Sequence, residues 1–322
     1  MAVADGRERP PAEPEPERRG TRLNRTDQLL AVYLVFLTTV IIFRGPFGEG
    51  RAWLLASHLL FALLLALLAA LRGSERVGET LHDFYPIVLL PVFYAEIGIL
   101  NGAVGLQTIM ANDAVLQRWE AAIFGGQVSY EWIRNAPSTF WSGLLHLAYL
   151  VYYPIVVLGA LVLAFHGFRE GARQTVFAMM LAFVACYVGF VLYPVAGPNH
   201  AFPHPTGPVR DVWSAKLVYA ALARGSSIGA AFPSSHVAAT VAVTIAVSRV
   251  WRPLGVALVG PALLLVVGTV YCQMHYAVDA ASGLALGVAA GYFARWLWRE
   301  RSPTVVESDR SISSSDPRIM RR

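Results

Sequence analysis

The sequence predicts an all-α fold, a polytopic membrane helix bundle of about eight transmembrane helices with a six-helix catalytic core. Three observations carry that expectation. Of the 322 residues, 56% are apolar and 15% charged, against roughly 25% charged in an ordinary soluble domain. The charge is also pushed to the ends: 12 charged side chains fall in residues 1–27 and 11 in residues 295–322, leaving 24 for the 267 residues between. Finally, that middle breaks into apolar runs close to the roughly 20 residues that cross a bilayer.

Taken in order, residues 1–26 are rich in Pro, Glu and Arg and contain no aromatic residue. So little apolar surface cannot offset ordering entropy, and a disordered cytoplasmic tail is expected there. Residues 299–322, polar and Ser-rich, are expected to form a second. Spans are expected near 28–43, 52–71, 85–106, 139–165, 174–193, 237–250, 254–273 and 276–297. The first two make an N-terminal pair over 27–84, and the other six the catalytic domain over 85–298.

Alternating these spans from a cytoplasmic N-terminus sorts the cations. Nineteen of the 26 basic residues fall on the side of the termini and seven on the other, across much longer loops. This is the positive-inside bias, and it expects both termini in the cytoplasm and the opposite face toward the periplasm or exterior. All the basic residues but Lys216 are Arg, a bias read as that of a GC-rich bacterial genome rather than as chemistry; the expected location is a bacterial inner membrane. The net charge of +5 forms no stripe on a soluble module, so no nucleic-acid partner is expected. Two cysteines are too few for a disulfide scaffold or a Cys-rich zinc module.

Two outer loops are long. In the first, about 107–138, Val115, Leu116, Trp119, Ala122 and Ile123 share one helical face opposite Asp113, Gln117, Arg118 and Glu120. With Asn112 as cap and Gly125-Gly126 as stop, a helix along the membrane surface is expected. The second, about 194–236, is rich in Pro and Gly and leads into the chemistry.

There, Pro233-Ser234-Ser235-His236 opens an apolar helical run. Ser234 or Ser235 can cap it, and the unpaired N–H groups of its first turn, with the positive end of the helix dipole, form an anion site with His236 at its lip. Further on, His275 and Asp279 stand four residues apart, a spacing that on a helix puts both on one face, where the carboxylate can fix the imidazole tautomer and leave the other nitrogen nucleophilic. Gly283, Gly287 and Gly291 continue at the same spacing and offer a close-approach seat for the His236 helix. His58, His82, His146 and His166 read as interfacial. The outer cations able to help hold a phosphate are Arg210, Lys216 and Arg224.

These motifs resemble the type-2 phosphatidic acid phosphatase superfamily of membrane phosphoesterases, whose signatures are K-x6-R-P, P-S-G-H and S-R-x5-H-x3-D. Pro233-Ser234-Ser235-His236 is similar to the second, and His275 with Asp279 to the end of the third. The first is absent, and Gly268 and Thr269 stand where the third has Ser and Arg. The branch typified by inositol phosphorylceramide synthase shares those departures, and Tyr193-Pro194-Val195-Ala196-Gly197-Pro198 and the Asp113, Glu120, Phe124-Gly125 stretch are further echoes.

The resemblance implies in-line attack by His275 on phosphorus, a phosphohistidine, proton donation by His236, and Asp279 orienting His275. It implies no cofactor and no metal. The substrate is expected to be a lipid phosphate or phosphodiester among membrane lipids. Water as acceptor gives a phosphatase, and an alcohol or sphingolipid hydroxyl a head-group phosphotransferase. The sequence leaves both open, together with a metal-dependent hydrolase built on His236, His275 and Asp279, and a non-catalytic lipid-binding or transport protein.

Overall fold

Residues 23–45, 48–71 and 76–299 are described by the computed structural model, and among them every regular element is an α-helix. In chain order these are α1 (Arg25–Arg44), α2 (Glu49–Leu71), α3 (Arg76–Val104), α4 (Leu106–Phe124), α5 (Val128–Asn135), α6 (Thr139–Phe165) and α7 (Arg169–Leu192). Then come the short α8 (Pro198–Ala201) and α9 (Pro208–Asp211), α10 (Trp213–Gly225), α11 (Ser235–Val250), α12 (Arg252–Tyr271) and α13 (Ala277–Arg299). Seven of them, α1, α2, α3, α6, α7, α12 and α13, are long and apolar enough to cross a membrane, and α11 is a shorter apolar helix of 16 residues. The fold is the all-α polytopic bundle that hydropathy implied.

The tails expected over 1–26 and 299–322 lie almost wholly outside the described residues. Where they overlap, Asn24 caps α1: its side chain accepts from the Asp27 N–H at 2.8 Å while Asp27 accepts from the Asn24 N–H at 2.7 Å, a reciprocal capping box. The polar Arg-Thr-Asp start of α1 is thus helical although hydropathy stops short of it. For the same reason α3 begins at Arg76 rather than near 85: its first turns are polar, and a hydropathy window registers only the apolar part of a helix.

The chain divides into two compact units, residues 1–88 and 89–322, with the boundary inside α3. Within the first, α1 packs on α2. Its polar centre is a buried cluster in which Asp27 accepts from the Tyr85 hydroxyl at 2.7 Å and lies 3.1 Å from His82 Nε2, while the Asn24 amide meets His82 Nδ1 at 3.4 Å. His82 is therefore not interfacial. Nor are His58, buried with Nδ1 2.7 Å from the Thr38 hydroxyl, or His146, buried in α6 with Nδ1 3.1 Å from the Ser142 hydroxyl; only His166 is exposed.

In the second unit α11 is the central rod, packed against α6, α7, α12 and α13. Val237, Ala238, Ala239, Ala242, Val243 and Val247 are all fully buried, so this helix needs no lipid-facing surface and can be short and poor in large side chains. The glycine stripe of α13 is its seat. A Cβ on Gly287 would lie 2.5 Å from the Ala238 carbonyl oxygen, and one on Gly283 would collide with the Ser234 carbonyl. Only glycine permits backbones this close.

Candidate active site

At the head of α11, Ser234 is the cap, its hydroxyl accepting from the Val237 N–H at 3.4 Å, and Ser235 is the first helical residue. Both are buried. His236 follows and is held between two rings from α6. The Tyr149 ring stacks on it at 4.8 Å with its hydroxyl 3.1 Å from His236 Nε2, and the Tyr152 ring lies 4.4 Å away. That leaves His236 Nδ1 buried with no hydrogen-bond partner.

His275 sits in the turn between α12 and α13, its ring 5.7 Å from that of His236. Sequence spacing placed His275 and Asp279 on one helical face, but α13 begins only at Ala277. The pair meets through the helix start instead: Asp279, in the first turn, accepts the Tyr276 N–H at 2.9 Å, and the same oxygen lies 3.6 Å from His275 Nδ1. At that separation the two are at ion-pair rather than hydrogen-bond distance, a looseness common in unliganded catalytic pairs. With Nδ1 turned to the carboxylate, His275 Nε2 lies on the far side of the ring. The Ser234 N–H donates to the Asp279 carbonyl at 3.1 Å, which ties the head of α11 to the head of α13. Two positive helix ends thus converge where an anion would bind.

The turn carrying His275 is fastened from three directions. The Met274 and His275 N–H groups both donate to the Thr269 carbonyl at 2.9 Å. Gln273 has φ 59°, an uncommon conformation for a residue with a side chain, and its buried amide holds it there by donating to the Pro198 and Pro203 carbonyls at 3.1 Å. Arg134 of α5 donates to Gln273 Oε1 at 2.7 Å and to the Pro203 carbonyl at 2.6 Å.

The third clamp comes from α4, whose faces are not divided as expected: Leu116 shares the inward face with Asp113 and Glu120. Its buried face is Ile109, Asp113, Leu116 and Glu120, while Trp119 and Ile123 are exposed. Asp113 accepts the Ala196 N–H at 2.7 Å, the Gly197 N–H at 2.9 Å and the Tyr276 hydroxyl at 3.0 Å; Glu120 accepts the Ser129 and Ala277 N–H groups, each at 2.8 Å. Burial pushes both carboxyls above their ordinary range, and the N–H donors pull them part of the way back. Asn112, expected as a cap, lies mid-helix and donates to the Pro194 carbonyl at 2.9 Å. Sequence reading gave these acids no structural task. The usable signal was their seven-residue separation, two helical turns, which puts both on one face.

Of the expected phosphate-binding cations, Arg210 lies over the Tyr219 ring at 4.4 Å, Lys216 is exposed and 3.7 Å from Asp211, and Arg224 is exposed near the end of α10. Among the described residues none of the three contacts His236, His275 or Asp279. The absent Ser-Arg pair has a steric counterpart: a Cβ on Gly268 would lie 2.8 Å from the Leu145 carbonyl oxygen, and Thr269 is fully buried. His200 and His204 stay in the outer loop, bonded to Ser226 and to the Asn199 carbonyl. No group of three or more His, Cys, Asp or Glu among the described residues is placed to hold a metal ion.

The family described as the PAP2 superfamily matches residues 115–293, more than half of the chain, including all of α11 and α12 and most of α13. No curated protein and no solved structure matches the chain.

Proposed function

The chain belongs to the PAP2 superfamily, whose members act generally as phosphoric ester hydrolases on lipid phosphates, and from that premise we propose that it cleaves or transfers a lipid phosphoryl group through a phosphohistidine on His275. The observation that carries this reading is the facing pair of imidazoles, 5.7 Å between ring centres, with Asp279 behind one of them.

The His275 Nε2 lone pair attacks phosphorus as the bond to the departing lipid alkoxide breaks, and His236 gives that oxygen its proton. Asp279 orients His275 and balances the positive charge that its ring acquires. In the second half, an acceptor hydroxyl attacks the phosphohistidine, His236 takes its proton, and His275 is released unchanged. The heads of α11 and α13, with Ser234 and Ser235, meet the charge developing on the phosphoryl oxygens. Asp113, Glu120, Arg134 and Gln273 act through the turns they hold and are positioning residues.

Water as the acceptor makes the protein a phosphatase. Transfer to an alcohol or sphingolipid hydroxyl is the second reading, supported by the echoes of the inositol phosphorylceramide synthase branch and by the Tyr149 and Tyr152 walls around His236, which limit water at that ring. The cation distribution supports an inner-membrane protein with both termini in the cytoplasm and this site on the opposite face.

The test is to incubate the purified protein with phosphatidic acid carrying a labelled phosphate, quench under alkaline conditions, and locate the label. Acid-labile phosphate on His275, lost in His275→Ala, is the expected result. Turnover without any label on His275, or full turnover in His275→Ala, overturns the reading. Adding an alcohol or ceramide and identifying the product separates hydrolysis from transfer.

A further inference from the structure

The rod α11 has a second end. Arg249 lies 13 residues beyond His236, about 20 Å farther along the helix, and there α7, α11 and α13 part around a cavity of about 260 Å³. Two arginines, Arg249 and Arg295, reach its lining with Gln174 and Trp298, and among the described residues no acidic one lines it. Arg249 is fixed in place: one guanidinium nitrogen donates to the Gly291 carbonyl at 3.0 Å and the group lies 4.1 Å from the centre of the Tyr292 ring. This leaves its remaining N–H groups without an acceptor among the described residues. Arg295 has no hydrogen-bond or ion-pair partner among the described residues. Glu170 of α7 does not line the cavity but stands behind its Trp298 wall, accepting from Trp298 Nε1 at 2.6 Å and lying 3.6 Å from Arg173.

A cavity with two forked donors, an amide and no carboxylate fits a phosphate group, because a guanidinium matches two phosphate oxygens at once. The cavity opens among the ends of membrane-crossing helices, beside the exposed rings of Tyr292, Phe293 and Trp296, the residue types that settle at the level of lipid head groups. Basic pockets between transmembrane helices are established seats for anionic head groups. From these observations we propose that the cavity bounded by Gln174, Arg249, Arg295 and Trp298 binds the phosphate of an anionic phospholipid from the leaflet opposite the histidine pair. A lipid seated there braces the α7–α11–α13 seam without entering the reaction.

The full chain, reconstituted in nanodiscs of phosphatidylcholine with or without phosphatidylglycerol, tests this by lipid retention in native mass spectrometry and by thermal unfolding. Phosphatidylglycerol is expected to be retained over phosphatidylcholine and to raise the unfolding temperature. Arg295→Gln, which removes no internal contact, is expected to weaken retention about tenfold, and Arg249→Gln at least as much. An unchanged preference in Arg295→Gln overturns the proposal, as does the absence of any preference in the wild type. A third arm adds inorganic phosphate to phosphatidylcholine discs: stabilisation equal to that by phosphatidylglycerol, lost in Arg295→Gln, overturns the lipid assignment in favour of a soluble anion. None of these readouts uses catalysis, so they stand whether or not His275 carries phosphate.

Discussion

Two buried pairings of histidine with aspartate among the described residues are built to opposite rules. In the N-terminal unit Asp27 accepts from Tyr85 and the Asn24 N–H and lies beside His82 Nε2, while the other His82 nitrogen meets the Asn24 amide. In the second unit His236 Nδ1, His275 Nδ1 and Asp279 Oδ1 are all buried without a hydrogen-bond partner. Buried polar atoms are normally paired, because leaving one unpaired costs about 1–3 kcal/mol. A fully paired cluster holds helices together. Three unpaired atoms in one small volume mark a place arranged for something that arrives later.

Substitutions can break that contrast. The largest effect is expected from His275→Ala, which removes the nucleophile: turnover falls by at least about 10⁴-fold and no phosphoenzyme forms. His236→Ala is expected to cost about 10²- to 10⁴-fold with a lipid substrate. The loss should shrink with a nitrophenyl ester, whose leaving group needs no proton, and an equal loss with both esters removes the acid role. Asp279→Asn should lower kcat by about 10- to 100-fold, as removal of a histidine's orienting partner does elsewhere. Glu120→Ala, which frees the Ser129 and Ala277 N–H groups, should lower kcat by about tenfold, a size typical of lost supporting contacts. In the first unit His82→Ala should leave kcat unchanged and lower stability by about 1–3 kcal/mol in thermal unfolding. A change in kcat there would erase the distinction between the two pairings.

Much of the second cluster was legible in the chain. Ser234 as cap and Gly283 with Gly287 as a close-contact seat follow from helix chemistry alone, and the structure realises both. The His275–Asp279 proximity was anticipated for the wrong reason: a spacing of four is satisfied across a helix start as well as along its side. That Asp113 and Glu120 lie on the protein-facing side of α4 was not legible, because an amphipathic pattern says that a helix has two faces but not which one meets protein. Beside lipid, Trp119 and Ile123 can face out, while Asp113 and Glu120 turn inward to backbone donors contributed by distant loops. Arg134 and Lys216 sit on short helices whose apolar pattern does not say which cation finds a partner, so nothing in the sequence separated Arg134, which clamps the turn carrying His275, from Lys216, which meets Asp211 at the surface.

The contact between Gly287 and the Ala238 carbonyl has a mechanical consequence. A Cβ there would meet the Ala238 backbone first and the Val241 side chain at 2.8 Å, so the distance between the two helices is governed mainly by peptide dimensions rather than by adjustable packing. A single methyl at Gly287 would act as a wedge, prising α13 from α11 and shifting the turn that carries His275 away from His236.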